Sequence, residues 1–139
     1  MEQLSILHVE DDDAASLLVQ LTLQEAFPEV KHHRVSDIDN ALRLLSANVE
    51  EPGISPPGLI LLDLNLPRKS GFEMLKAVRE SSSLGELCVV VFTSSATPAD
   101  RKRALELGAT AYVTKPSTFE DYLAAMHKIV KLAANVNLQ

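Results

Sequence analysis

Only one cysteine, Cys88, occurs among the 139 residues. No disulfide can form within the chain, and the four histidines, His8, His32, His33 and His127, stand at no metal-ligand spacing from that thiol. They read as structural or solvent-facing residues. Cys88 sits inside the apolar run 87–92 and reads as a core residue in a reducing compartment, so a cytoplasmic location is expected. No apolar run approaches the ~20 residues that cross a bilayer. The N-terminus passes directly into a strand pattern without a leader, so no membrane is expected as a partner. Basic residues are outnumbered 13 to 19, for a net charge of -6. That disfavours nucleic acid and favours a metal cation or a basic surface. No internal repeat or low-complexity segment is visible. No glycine-rich phosphate loop follows the first apolar segment, which counts against a nucleotide-binding protein of flavodoxin type.

What the chain does have is an alternation of short apolar runs and amphipathic stretches. Strands are expected at Leu4–Val9, Lys31–Val35, Leu59–Leu62, Cys88–Phe92 and Ala111–Thr114. Helices are expected between them. The first runs from Asp13 to Phe27, stopped by Pro28. The second is capped by Ser36, carries Asp37 and Asp39 in its first turn, and reaches Ala47. The third runs from Gly71 to the serines at 81–83, and the fourth from Pro98 to Gly108. The last opens with a capping box over Ser117–Glu120 and ends near Leu132. Residues 48–58, with three prolines and two glycines, read as a loop. Strict β/α alternation implies an α/β fold, a doubly wound parallel sheet of flavodoxin-like (βα)5 type with strand order 2-1-3-4-5. Residues 1–139 are expected to form one domain with no output domain.

In that order strands one and three are neighbours, and their C-terminal ends form the ligand crevice. Asp63 ends the buried run Leu59–Leu62, and Glu10, Asp11, Asp12 and Asp13 follow strand one. A carboxylate attacks a phosphoryl group only when charge on that group is neutralised. Magnesium does this with one or two carboxylates, here Asp11 and Asp63, and the Asn65 backbone carbonyl is placed to add a third oxygen. Lys115, before the chain-breaking Pro116, would balance the remaining phosphoryl oxygens. Thr93, ending strand four, would donate a hydroxyl. Asp12 and Asp13 read as capping and solvated charge.

These residues resemble the receiver domain of two-component response regulators. The family's acidic pair matches Glu10 and Asp11, and its phosphoacceptor matches Asp63 in Leu-Leu-Asp-Leu-Asn-Leu-Pro, followed by Gly71. Its switch hydroxyl matches Thr93, its lysine Lys115 before Pro116, and its switch aromatic Tyr112. The resemblance implies phosphorylation of Asp63 by a sensor histidine kinase with Mg2+, slow self-hydrolysis and no other enzymatic activity. Glu10 would act mostly through water. A finer resemblance, to regulators paired with bacterial phytochrome-type kinases, rests on Val9-Glu10-Asp11, the loop 48–58 and Asp63–Pro67.

Two other readings are open. A haloacid-dehalogenase-like phosphatase also uses an aspartyl nucleophile, but wants an acid where Asn65 stands. A degenerate receiver would bind partners without phosphorylation. Helix one should cover the core with Leu18, Thr22 and Ala26, and Ala15 above them. That leaves Leu17 and Leu21 over, so a kinase-docking surface is expected around Leu17, Leu21, Ala15 and Pro116. Arg101, Lys102 and Arg103 opposite Glu120 and Asp121 suit a homodimer through the last two helices and strand five.

Overall fold

The structure, a computed structural model, describes residues 4–46 and 57–137. Its strands are β1 (Ser5–Val9), β2 (Lys31–Val35), β3 (Leu59–Leu62), β4 (Val89–Thr93) and β5 (Ala111–Thr114). Between and after them run α1 (Asp13–Ala26), α2 (Ile38–Ser46), α3 (Gly71–Glu80), α4 (Pro98–Glu106) and α5 (Phe119–Asn137). The strands form one sheet in the order β2-β1-β3-β4-β5, every pair parallel. This is the expected flavodoxin-like order. The loop expected at 48–58 falls largely outside the described residues.

Strand periodicity sends alternate residues to opposite faces, and each face has its own core. Leu7, Val9, Ile60, Leu62, Val89 and Val91 pack with Ile38 and Ala41 of α2, Met74, Leu75 and Val78 of α3, and Ala104 of α4. Ile6, Leu59, Leu61, Val90 and Phe92 pack with Val19 and Leu23 of α1 and Met126, Ile129 and Ala133 of α5. β3 lies mid-sheet with all four residues buried, which is why its sequence is uniformly apolar.

Several boundaries differ from expectation. Strands β1 and β4 start one residue later, and Thr93 belongs to β4. The cap of α2 is Asp37, not Ser36: its carboxylate accepts from Asn40 N–H at 2.8 Å and Asn40 Nδ2 at 2.9 Å. The last helix is capped by Thr118, whose Oγ1 accepts from Asp121 N–H at 3.1 Å, so the box expected over Ser117–Glu120 is displaced by one residue. α5 also continues past Leu132 to Asn137, because Ala133 belongs to the core and extends the buried stripe. On α1 the buried face is Ala15, Ser16, Val19, Thr22 and Leu23; of the expected residues Ala15 and Thr22 are buried, Leu18 packs partly buried beside them, and Val19 and Leu23 join them. Thr22 is tolerated there because its hydroxyl donates to the Leu18 and Val19 carbonyls. Leu17 and Leu21 are exposed as expected, at 52% and 42%.

Arg79, not singled out by its sequence context, ties two connections together, that between α3 and β4 and that between α4 and β5. From α3 its Nε donates to Gly108 O at 2.8 Å and its Nη1 to Leu87 O at 2.6 Å and Gly85 O at 3.2 Å. Gly108 has φ +103°, and a Cβ there would lie 2.9 Å from the Arg79 side chain. Charge-assisted bonds to buried carbonyls are worth more than surface pairs. Arg79→Met should therefore cost ~3 kcal/mol of unfolding free energy. The midpoint of urea unfolding, at unchanged slope, measures it.

Candidate functional site

The sheet delivers its polar strand ends to one edge. Val9 of β1 pairs with Leu62 of β3, so the residues that follow, Glu10 and Asp63, emerge side by side. Asp63 N–H donates to Val9 O at 3.1 Å, and Glu10 N–H to Val35 O at 3.0 Å. On the other side Lys115 N–H donates to Thr93 O at 2.7 Å, locking the end of β5 to the end of β4.

Lys115 reaches across from β5. Its Nζ lies 2.8 Å from Asp63 Oδ2 and 2.6 Å from Glu10 Oε1. The second Asp63 oxygen, Oδ1, accepts from Asn65 N–H at 3.1 Å. Glu10 is completely buried, Asp63 is 4% exposed, and the adjacent Asp11 is exposed. Glu10 is thus an inner member of the cluster, where the sequence suggested a water-mediated role. The Lys115 contact to Oε1 is an ion pair without hydrogen-bond geometry, which leaves Oε1 a buried oxygen with no donor.

Two buried carboxylates and one ammonium do not balance, and the protonation of the site reflects this. Burial, reinforced by Asp63, pushes Glu10 up from 4.5 to about 7 against the pull of Lys115. Burial also acts to raise Asp63, but Lys115, Glu10 and the Asn65 N–H outweigh it and hold Asp63 below the usual carboxylate range. Burial acts to lower Lys115, and its two carboxylate partners more than restore it, so it stays charged. Glu10, Asp11 and Asp63 each present an oxygen within 4.8 Å of the others. Three carboxylates so close, served by one ammonium, form a hard oxygen set that fits a divalent cation.

The wall on one side is Gly71. Its N–H donates to Leu64 O at 3.1 Å, and a Cβ there would lie 2.4 Å from the Asp63 carbonyl oxygen. Only glycine allows α3 to start this close to the backbone of Asp63.

Comparison with known proteins agrees with this geometry. The sequence pattern of the response regulator receiver domain matches residues 6–127. The chain belongs to that family. The receiver domain is 36% identical to the response regulator Rcp1 of Synechocystis over 84% of this chain and 79% of Rcp1. It is 33% identical to a probable methanogenesis regulatory protein, FilR2 of Methanothrix harundinacea, over 89% of this chain and 79% of FilR2. Among solved structures, Mn(2+)-bound Rcp1 superposes with a TM-score of 0.79 at 34% identity, covering 90% of each chain. The phosphorylated cyanobacterial phytochrome response regulator RcpA superposes with a TM-score of 0.86 at 29% identity, covering 96% of this chain and 95% of RcpA. The subgroup expected from the sequence is the one to which Rcp1 and RcpA belong.

Within this receiver domain the remaining residues of interest lie across β4 and β5. Thr93 is buried, and its Oγ1 accepts from Ser95 N–H at 3.4 Å. Tyr112 is 7% exposed, and its hydroxyl donates to Ser95 O at 2.8 Å. Ser95, which the sequence reading passed over, therefore joins the two. Asn65 lies in the loop after Asp63, with its N–H turned to that carboxylate. Asp12 caps α1 by accepting from Ala14 N–H at 3.3 Å, and Asp13 pairs with Arg34 at 2.6 Å. Ala15 is buried against the core and drops out of the expected docking surface, because it belongs to the inward face of α1. Among the described residues, no helix is long and apolar enough to cross a membrane.

Without divalent cations, folded Glu10 holds more protons than unfolded Glu10 between pH 4.5 and about 7. Its contribution to stability is full below that window and is lost as pH rises through about 7. Asp63 runs the other way, and only below the ordinary 3.8 of an aspartate. In chelator, the unfolding free energy from urea denaturation should fall between pH 5 and 7.5, by on the order of 2 kcal/mol. Glu10→Gln should flatten that slope, and an unchanged slope in the variant would assign the titration elsewhere.

Proposed function

We propose that Asp63 is the phosphoacceptor of this response regulator and takes its phosphoryl group from a phosphohistidine of a sensor histidine kinase. The observation that carries this reading is Lys115 Nζ on Asp63 Oδ2 at 2.8 Å while Asn65 N–H orients Oδ1. One oxygen of Asp63 attacks phosphorus, the P–N bond of the donor breaks, and the released imidazole takes up a proton. Lys115 stays cationic and balances charge on the phosphoryl oxygens. Glu10, Asp11, Asp63 and the Asn65 carbonyl would hold Mg2+, which would supply the remaining charge neutralisation. Water later attacks the aspartyl phosphate and releases inorganic phosphate, so turnover is limited to the protein's own modification. The likeness to Mn(2+)-bound Rcp1 and phosphorylated RcpA supports the cation, the phosphorylation and a phytochrome-type kinase upstream.

The phosphatase reading loses to this one because Asn65 offers no acid, and the degenerate receiver because no member of the site is missing. A phosphoryl dianion draws in nearby donors. Thr93 would turn toward it, releasing Ser95, and Tyr112 would shift with the Ser95 carbonyl that now holds it. The kinase would meet Leu17, Leu21 and Pro116.

Homodimerisation through α4, β5 and α5 would follow from that shift. Arg103 already stacks on Phe72 at 4.2 Å, Arg101 lies over Tyr112 at 5.8 Å and Lys102 pairs with Glu106 at 3.9 Å, so facing Glu120 and Asp121 would exchange the exposed Lys102–Glu106 pair. Exposed pairs contribute only ~0–1 kcal/mol, and Leu105 and Phe119, both exposed, would supply the apolar contact.

Two measurements test these readings. Asp63→Asn should remove all acid-stable, base-labile label from kinase or a small phosphodonor while keeping the fold, and undiminished labelling sinks the assignment. Light scattering at ~100 μM, far above a ~1 μM dissociation constant, should give a dimer with beryllofluoride. A strict monomer excludes the interface.

A further inference from the structure

We propose that Arg34, on the edge strand β2, is a positioning residue for the divalent cation, fixing the turn that carries Glu10 and Asp11; this rests on the cation site proposed above. Its Nε donates to the Glu10 carbonyl oxygen at 2.8 Å, and its Nη1 donates to Asp13 Oδ1 at 2.6 Å. The Glu10 N–H is held by Val35 O at 3.0 Å. Both polar groups of the Glu10 backbone are therefore gripped by β2, one by main chain and one by guanidinium. Asp11 lies between the two points that Arg34 holds.

Arg34 also sorts the acidic run. Glu10 faces Lys115, Asp12 caps α1, and Asp13 is occupied by Arg34. Among the described residues, the Asp11 carboxylate alone of the four has no side-chain or backbone donor. The carboxylates in excess of the site are committed elsewhere, and the free one points a hard ligand where Glu10 and Asp63 have theirs. A planar fork can make both contacts at once, and an ammonium can make one.

The sign of the effect separates positioning from simple electrostatics. Removing a cation beside a metal site should tighten metal binding by relieving repulsion. Removing the anchor of the ligand turn should weaken it, typically by tenfold or more for residues that orient metal ligands. Calorimetric titration of the protein with Mg2+ alone reads this directly. Arg34→Gln should weaken Mg2+ binding roughly tenfold, and Arg34→Lys should fall between it and the parent. The rate of phosphorylation by a small donor should return to the parent value at saturating Mg2+, since the change is in the half-saturating concentration. Equal or tighter binding by Arg34→Gln overturns the inference, as does a rate that stays low at saturation. If Arg34→Gln does not fold, parent-like affinity in Arg34→Lys overturns it. Absence of Mg2+ binding by the unaltered protein removes the cation site itself, a distinct failure.

Discussion

The structure depends on one half-buried ammonium, that of Lys115. Glu10 and Asp63 are brought together by the register of two central strands, and two carboxylates at that distance inside a protein repel. Lys115 makes the arrangement tenable by touching both. It must cross from the far strand β5, so the sheet order, the clamp of Lys115 N–H on Thr93 O and the register of β4 with β5 all enter its position. Its single charge leaves Glu10 half-protonated near neutrality, which keeps an oxygen in reserve for a cation. A proton and a divalent ion are alternative occupants of the same charge deficit.

Much of this was legible in the sequence because strand ends are legible. An apolar run that stops at one carboxylate marks both a buried strand and the place where it emerges, so Asp63, Thr93 and Lys115 could be assigned to one edge before any coordinates. The alternation of elements then left few topologies. Less readable was which acid in the run Glu10–Asp13 goes inside. That depends on a one-residue difference in where β1 ends, and only the pairing of Val9 with Leu62 decides it. The caps of α2 and α5 slipped for a similar reason: Ser36 and Asp37, like Ser117 and Thr118, are adjacent residues with equally good capping oxygens. The inward face of α1 was only partly legible: Thr22 and Ala15 fall where the pattern put them, but Ser16 is polar yet buried and gave no signal. Arg34 and Arg79 had no signal of their own, since each turns chiefly on backbone carbonyls that any sequence supplies, and the Arg34–Asp13 pair joins elements distant in sequence.

Both arginines show the same economy. Neither lies in the apolar cores, yet each binds a turn that the cores do not reach. Arg79 works at the edge of the sheet remote from Asp63 and serves stability. Arg34 works at the edge that carries the chemistry.

Gly71 gives the site a handedness of motion. The start of α3 presses on the Asp63 carbonyl so closely that even a methyl group has no room. On that side Asp63 has a stop. On the opposite side stand hydroxyls, Thr93, Ser95 and Tyr112, joined by hydrogen bonds that can be exchanged without moving a helix. A load placed on Asp63 therefore meets a rigid abutment in one direction and a compliant linkage in the other.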